Sequence, residues 1–305
     1  MSSALLALLT GVLAACSNQT AASASPPREL RMSALAVADP LIKAAYSRVR
    51  NVTIKITSPG GASITNLNDL QQGVTDIGIA LADTTYLAYN GQLDEGGKRY
   101  DQLRGLALLN VNTFHFLVGP RTGIRSVAQL RAKRVAIGPG DTSTAIIGQT
   151  LLELNGVSLR DVITERRPYP ETVERLLAGD IDAAFMIQIV GTQTVGDAVR
   201  GGARLLNLEG PLIEDLRQQR PFLRRTLIPK GTYPGQDNPV HTLAVDRVML
   251  CRADLDENLV YELLEAYFAD SPGTVPPTNF ERAPATPLPL HPGALRYYRQ
   301  RELSR

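Results

Sequence analysis

Arg134 to Gly156 reads R-V-A-I-G-P-G-D-T-S-T-A-I-I-G-Q-T-L-L-E-L-N-G, and this stretch decides the fold. Val135 to Ile137 form a short apolar run of buried-strand type. Gly138-Pro139-Gly140 then gives a tight loop, and Asp141, Thr142, Ser143 and Thr144 offer helix caps in succession. Beyond them Ile147, Leu151 and Leu154 recur at i, i+4, i+7, the apolar stripe of a helix that Asn155-Gly156 can end. A strand, a glycine loop and a helix start gather backbone N–H groups and a positive dipole end at one point, a place to hold an anion. Gly138, Gly140, Asp141, Thr142, Ser143 and Thr144 are therefore candidate ligand residues.

Several uses compete for such a loop. A dinucleotide site wants G-x-G-x-x-G, but Ser143 stands at the third glycine position. A nucleotide P-loop wants G-K-[ST], and the loop has no lysine. A small-molecule receptor needs only the loop, hydroxyls and an anionic ligand. An ordinary βα turn needs none of these, so the rest of the chain must decide.

Upstream the same grammar occurs once more. Val52, Ile54 and Ile56 alternate with Thr53 and Lys55 as a half-buried strand. Ser58-Pro59-Gly60-Gly61-Ala62-Ser63 is a second glycine loop before a helix over Ile64 to Gln72, with Ser63 as its natural cap. Gly73 stops that helix, and Asp76 to Ala80 form the next strand, completing a βαβ unit. Gly61, Ser63, Asn66 one turn into the helix, and Asp83 after the strand join the candidate ligand residues. Moreover, Leu70-x-x-Gly73-x-x-Asp76-x-x-Ile79 has an echo in Leu176-x-x-Gly179-x-x-Asp182-x-x-Phe185. Two lobes built alike would each place a loop and a helix N-terminus at the carboxyl ends of their strands, where open α/β sheets bind ligands. Facing each other, they make a clamp.

The remaining segments fit around these lobes. Leu30 to Val37 reads as a weak strand and Pro40 to Val49 as a helix. Leu106 to Val118 is apolar enough to cross between lobes, with Val111-Asn112-Thr113 as hinge, and Val240 to Val245 returns. Glu257 to Phe268 is the last long helix, and Ser271 to Pro292, with seven prolines, reads as a wrapping segment. The division is lobe 1 over 30–114 and 241–305 and lobe 2 over 115–240. Net charge is +2 without a long basic run, which argues against a nucleic-acid partner. His115, His241 and His291 stand far apart, so neither a metal site nor another cofactor is expected. No nucleophile elbow or acid–base constellation is legible either, which disfavours an enzyme.

The N-terminus carries an address. Ala4 to Ala15 is an apolar run of signal-peptide length, too short to span a bilayer. It ends in Leu13-Ala14-Ala15-Cys16, which resembles a bacterial lipobox with Cys16 as the lipidated residue. Residues 1–16 thus read as signal peptide and lipobox, and 17–29 as a disordered tether rich in Ser, Ala and Pro. The expected location is the periplasm or cell envelope, on a lipid anchor. Cys251, the other cysteine, lies in an apolar segment and reads as an inert core thiol.

Taken together, Gly60 to Leu67, Thr75 to Ala80 with Asp83, Arg134 to Thr142, Gly179 to Phe185, Gly231-Thr232-Tyr233-Pro234-Gly235 and Leu290 to Ala294 resemble motifs of the TAXI family, the solute receptors of tripartite, ion-driven TRAP transporters. The resemblance covers about residues 50 to 298. It implies an α/β, two-lobed type II periplasmic-binding-protein fold and a small carboxylate ligand such as an amino acid, a 2-oxo acid or a dicarboxylate. It also implies a TRAP-type permease as partner and adds Tyr233 to the candidate ligand residues. Two loops depart from the family pattern: Ser33 to Pro40 lacks glycine and aromatic residues, and Gly191-Thr192-Gln193 lacks the usual proline. A ligand-sensing module with the same clamp and no transporter is the alternative, ahead of an enzyme on a two-lobed scaffold. The lipobox is tested by fractionation: in a Gram-negative host the protein should partition with membranes, and Cys16→Ser should release it or block processing. Recovery of the wild type as unmodified cytoplasmic protein contradicts the anchor.

Overall fold

The computed structural model describes residues 28–33, 40–58, 62–140, 142–269 and 279–303. Its first three strands, β1 (Arg28–Ser33), β2 (Val52–Ser58) and β3 (Ile77–Leu81), run parallel, with β1 in the middle. Helices α1 (Pro40–Tyr46) and α2 (Ser63–Gln71) connect them, and α3 (Ala82–Tyr89) follows β3 without a break. On β2 the alternation read from sequence holds: Val52 is buried while Thr53 and Lys55 are exposed. β1 begins at Arg28, two residues inside the expected tether. Cys16, like all of residues 1–27, lies outside the described residues.

The chain then enters β4 (Leu103–Val118), a strand of 16 residues, about 50 Å long at 3.3 Å per residue. A second triplet follows. β5 (Arg134–Ala136) stands parallel between β6 (Ile163–Glu165) and β7 (Ala183–Gln188), linked by α4 (Ser143–Leu154) and α5 (Tyr169–Ala178). After α6 (Gln193–Arg200) come the short β8 (Arg204–Leu206), α7 (Pro211–Gln219) and β9 (Leu223–Ile228). The long β10 (Val240–Arg252) returns antiparallel to both β3 and β4. The path through the sheet is β2-β1-β3-β10-β4-β7-β5-β6, with β8 beside β4 and β9 beside β10.

Two lobes with one plan result. In each, the first of three parallel strands lies in the middle, and the third is flanked by an antiparallel crossing strand: β10 beside β3, β4 beside β7. The short sequence echo marks a shared joint. Asp76 accepts from the backbone N of Arg31 at 2.9 Å and from its guanidinium at 3.1 and 2.7 Å. Asp182 accepts from the backbone N of Arg134 at 2.8 Å and from its guanidinium at 3.1 and 2.8 Å. Each aspartate therefore clips the start of the third strand to the first through one two-pronged ion pair. The guanidinium of Arg134 holds the Asp182 carboxyl below the usual carboxylate range.

The hinge segment Val111-Asn112-Thr113 is no loop but the middle of unbroken β4, where it pairs with Val245 and its neighbours on β10. That pairing shifts register between Asp246 and Val248 and again between Met249 and Leu250. Three cores follow from the layers. One lies under α1, α8 (Glu257–Ala269) and the C-terminal turn of chain, with Met32, Tyr46, Met249 and Tyr297. Another packs α5 and α6 on the second lobe, and the largest follows β4 and β10 through both lobes, with Leu67, Phe114, Phe185 and Leu243. Cys251 is fully buried on β10, as its apolar setting suggests.

The last long helix is not α8. A ninth helix, α9 (Pro292–Leu303), follows the proline-rich segment. Few of its residues are apolar, so periodicity does not announce it. What holds it is a narrow face of Ala294, Tyr297 and Tyr298, all buried, with the Tyr298 hydroxyl donating to Leu106 O at 2.9 Å. Gly293 lets α9 approach α8 closely, since a Cβ there would stand 2.2 Å from Glu257 O.

Candidate ligand-binding cleft

The helix starts singled out from sequence face each other across the lobes. On the first lobe Ala62, not Ser63, occupies the cap position of α2 and makes no side-chain cap bond. Ser63 opens the helix itself, and its Oγ accepts from Leu81 N at 3.1 Å, tying α2 to the end of β3. The cap assignment from sequence is thereby corrected, because a βα loop with Gly and Ala at its end leaves the serine inside the first turn. Asn66 donates through Nδ2 to Ile79 O at 2.7 Å. Its Oδ1 is buried and has no donor.

On the second lobe Gly138 adopts φ +86°, a left-handed conformation that a side chain resists. A Cβ there would also press on the Thr144 side chain at 2.8 Å. Thr142 caps α4: its Oγ1 accepts from Ala145 N at 3.3 Å and donates to Pro139 O at 2.8 Å. Thr144 Oγ1 shares a 2.6 Å hydrogen bond with the Tyr169 hydroxyl, which accepts from Ile187 N at 3.2 Å. Ser143 reaches across to the first lobe and donates to Asp83 Oδ1 at 2.8 Å.

Between these helix starts lies a cavity of about 250 Å³. Ser63 and Asn66 line it from one lobe, and Thr142, Ser143, Thr144 and Tyr169 from the other. The crossing strands close its floor with Asn112 of β4 and Arg247 of β10. Arg247 is only 4% exposed and donates through Nη1 to Asn110 Oδ1 at 3.1 Å. It sits at the first register shift of β10, and a bulge of this kind re-aims a side chain. The neighbouring Asp246 is paired with Arg224 at 2.6 Å and Arg282 at 3.3 Å. Sequence reading named no arginine for an anion. The available signal was the charged pair Asp246-Arg247 inside the otherwise apolar run Leu243 to Cys251.

Other candidates fall elsewhere. Gly61 and Asp141 lie outside the described residues. Gly140 is exposed, its carbonyl accepting from Arg166 at 3.4 Å. Tyr233 is not brought to the cleft: it is 2% exposed in the core of the second lobe. There its hydroxyl meets His115 Nε2 at 2.8 Å and accepts from Gly191 N at 3.0 Å. The G-T-Y-P-G turn thus anchors its aromatic ring inward, between β4 and the segment after β7. Among the described residues no group of three His, Cys, Asp or Glu is placed to hold a metal ion, and no helix is long and apolar enough to cross a membrane.

Asp83 lies beneath the cleft rather than on its wall. It is fully buried at the start of α3, and its Oδ2 has no partner. Burial pushes its carboxyl up to about 6, against the pull of the Ser143 hydroxyl, the α3 backbone N–H groups and Arg220. A carboxyl raised on folding is destabilising when ionised. Its stabilising contribution is complete below the unfolded value near 3.8 and lost as pH rises through about 6. Against Asp83→Asn, the wild type should accordingly lose about 2 kcal/mol of relative stability between pH 4 and pH 7. Paired thermal melts across that range test this, and an offset independent of pH contradicts it.

Many solved structures share the fold, among them three periplasmic proteins. The alkanesulfonate-binding protein SsuA from Xanthomonas axonopodis pv. citri, bound to MOPS, is 19% identical with a TM-score of 0.51, over 81% of this chain and 74% of that one. The periplasmic binding protein BugD is 14% identical with a TM-score of 0.52, over 92% and 95%. A structure described as a periplasmic transporter is 14% identical with a TM-score of 0.53, over 92% and 96%. Likeness at this level shows the two-lobed α/β fold of periplasmic binding proteins. The model of the NMT1-like family matches residues 35–301, and the chain belongs to the NMT1-like family.

Proposed function

We propose that this protein is an extracytoplasmic solute receptor that captures a small organic anion between its lobes. One observation carries the reading: a buried arginine, Arg247, faces the starts of α2 and α4 across a cavity of about 250 Å³. The guanidinium donates to Asn110 Oδ1, and a hydrogen bond from such a charged group contributes about 1.5–3 kcal/mol. Each helix N-terminus adds about 0.3–1 kcal/mol for an anion within reach. The motifs of the TAXI type and the lipobox at Cys16 support a finer reading. On that reading the receptor is tethered to the envelope membrane by lipid and hands its ligand to a TRAP-type permease. Among the fold neighbours, SsuA binds alkanesulfonates, which are organic anions too.

Binding closes the clamp because one ligand touches both lobes. Any compound that binds only the native state raises the melting temperature as RT ln(1 + [L]/Kd). A thermal-shift screen of amino acids, 2-oxo acids, dicarboxylates and sulfonates should yield an anionic hit. A screen in which only neutral sugars shift the melt contradicts the proposal. For the best hit, Arg247→Met should lose about 2–5 kcal/mol of affinity while still melting cooperatively without ligand. Unchanged affinity in that variant removes Arg247 from the site.

A further inference from the structure

Beside the cleft the two lobes touch directly, and a carboxyl lies in the seam. Asp83, at the start of α3 on the first lobe, and Ser143, at the start of α4 on the second, are each 1% exposed and share a 2.8 Å hydrogen bond across it. Around that bond the contact is apolar. Leu87 of α3, Ile146 and Ile147 of α4, and Leu216, Phe222 and Leu223 from the end of α7 to the start of β9 enclose a pocket that Asp83 also lines. Its volume of about 10 Å³ has room for no more than one water molecule. The Tyr86 ring of α3 packs on Phe222 at 5.6 Å between centroids, so the apolar contact continues along the seam.

Little in this seam compensates a negative charge. α4 offers the Ser143 hydroxyl to Oδ1, and α3 offers its own first backbone N–H groups. Arg220, just after α7, lines the same pocket and acts on the carboxyl through space rather than through a hydrogen bond. α2 and β10 also pack on α3, and their charged residues Asp69, Asp246 and Arg247 make no bond to this carboxyl, whose Oδ2 is buried without a partner. An ionised Asp83 would thus give up its hydration for one hydroxyl, a few amides and a guanidinium it does not touch. Parting the lobes returns the carboxyl to water, where its ordinary value is 3.8, whereas burial in the closed seam pushes it up to about 6. The closed form therefore binds the proton more tightly than the open one. Closure has that advantage in full below about 3.8 and loses it as pH rises through about 6.

We propose that Asp83 and Ser143 form a proton-sensitive latch between the lobes: a protonated carboxyl holds the clamp shut without ligand, and its ionisation shifts the clamp toward the open, receptive form. The latch rests on the reading of the protein as a two-lobed clamp and is independent of which anion the cleft holds.

Distances between the lobes of the ligand-free protein test the latch. In a Cys16→Ser background, which leaves the buried Cys251 as the native thiol, Thr65→Cys on α2 and Glu153→Cys on α4 each take a nitroxide at an exposed position. Double electron–electron resonance then reads the ratio of closed to open forms. From pH 5 to pH 7 that ratio should fall about tenfold with Asp83 in place and stay level in Asp83→Asn. Ser143→Ala should lower it about threefold or more at pH 5. A ratio that ignores pH, or one that falls equally in Asp83→Asn, overturns the latch while leaving the anion site of the cleft standing. So does a Ser143→Ala variant that keeps the unsubstituted ratio at pH 5.

Discussion

The structure depends on the antiparallel pairing of β4 with β10. These are the two strands too long for one lobe, and they meet from Leu103 against Arg252 to Thr113 against Ala244. The elements that border the cleft are placed by them. β3 and α2 hang on one side of the pair, and β7, α4 and α5 on the other, so the carboxyl ends of both parallel triplets converge on the middle of the pair. There the register shifts beside Asp246, and the two adjacent charges part company. Asp246 is engaged by Arg224 and Arg282, and Arg247 lines the cavity. A bulge on a crossing strand thus turns the Arg247 side chain to the cavity while its neighbour Asp246 faces other partners. No loop residue has to carry a buried cation.

The direct contact between the lobes has its own balance of forces. Ser143 of α4 and Asp83 of α3 join the lobes directly, next to the cavity and without any ligand. A single hydrogen bond to a carboxylate contributes about 1.5–3 kcal/mol, while burying that carboxylate in its ionised form costs more. Burial wins over the Ser143 bond, since the carboxyl is pushed up to about 6 with that bond in place. This contact between the lobes is therefore weaker at neutral pH than in acid.

Much of this was legible in the residues, and the exceptions have physical causes. The strand–loop–helix of Arg134 to Gly156, its earlier counterpart and the Leu-x-x-Gly-x-x-Asp echo are local patterns, and local patterns survive translation into structure. The echo even marked the joint that Asp76 and Asp182 each make with an arginine of the first strand. Thr142 caps α4 from among four adjacent polar residues, a choice set by loop geometry that spacing cannot resolve. Ser63 looked like a cap and instead holds the end of β3. Tyr233 sat in a family-like turn, yet its ring packs against His115 in the core, because a turn does not dictate which way its aromatic residue faces. The charged pair Asp246-Arg247 marks the position of that arginine in sequence, but not that Arg247 faces the cleft. Which face of a strand a residue occupies beyond a bulge depends on pairing with a distant partner, and that pairing is not written in the neighbouring residues. Helix α9 escaped because its burial rests on two tyrosines and a close glycine contact rather than on an apolar period.

The central claim is that a carboxylate sits on Arg247 between the two helix starts. A crystal structure of the protein with a bound organic acid tests it most directly. The account predicts a carboxylate oxygen about 3 Å from the Arg247 guanidinium, with the rest of the molecule against Ile79, Pro139 and Ile187. A ligand held elsewhere, such as the polar surface groove bordered by Arg125, Arg204 and Asp237, or one in the cleft with no contact to Arg247, would contradict it.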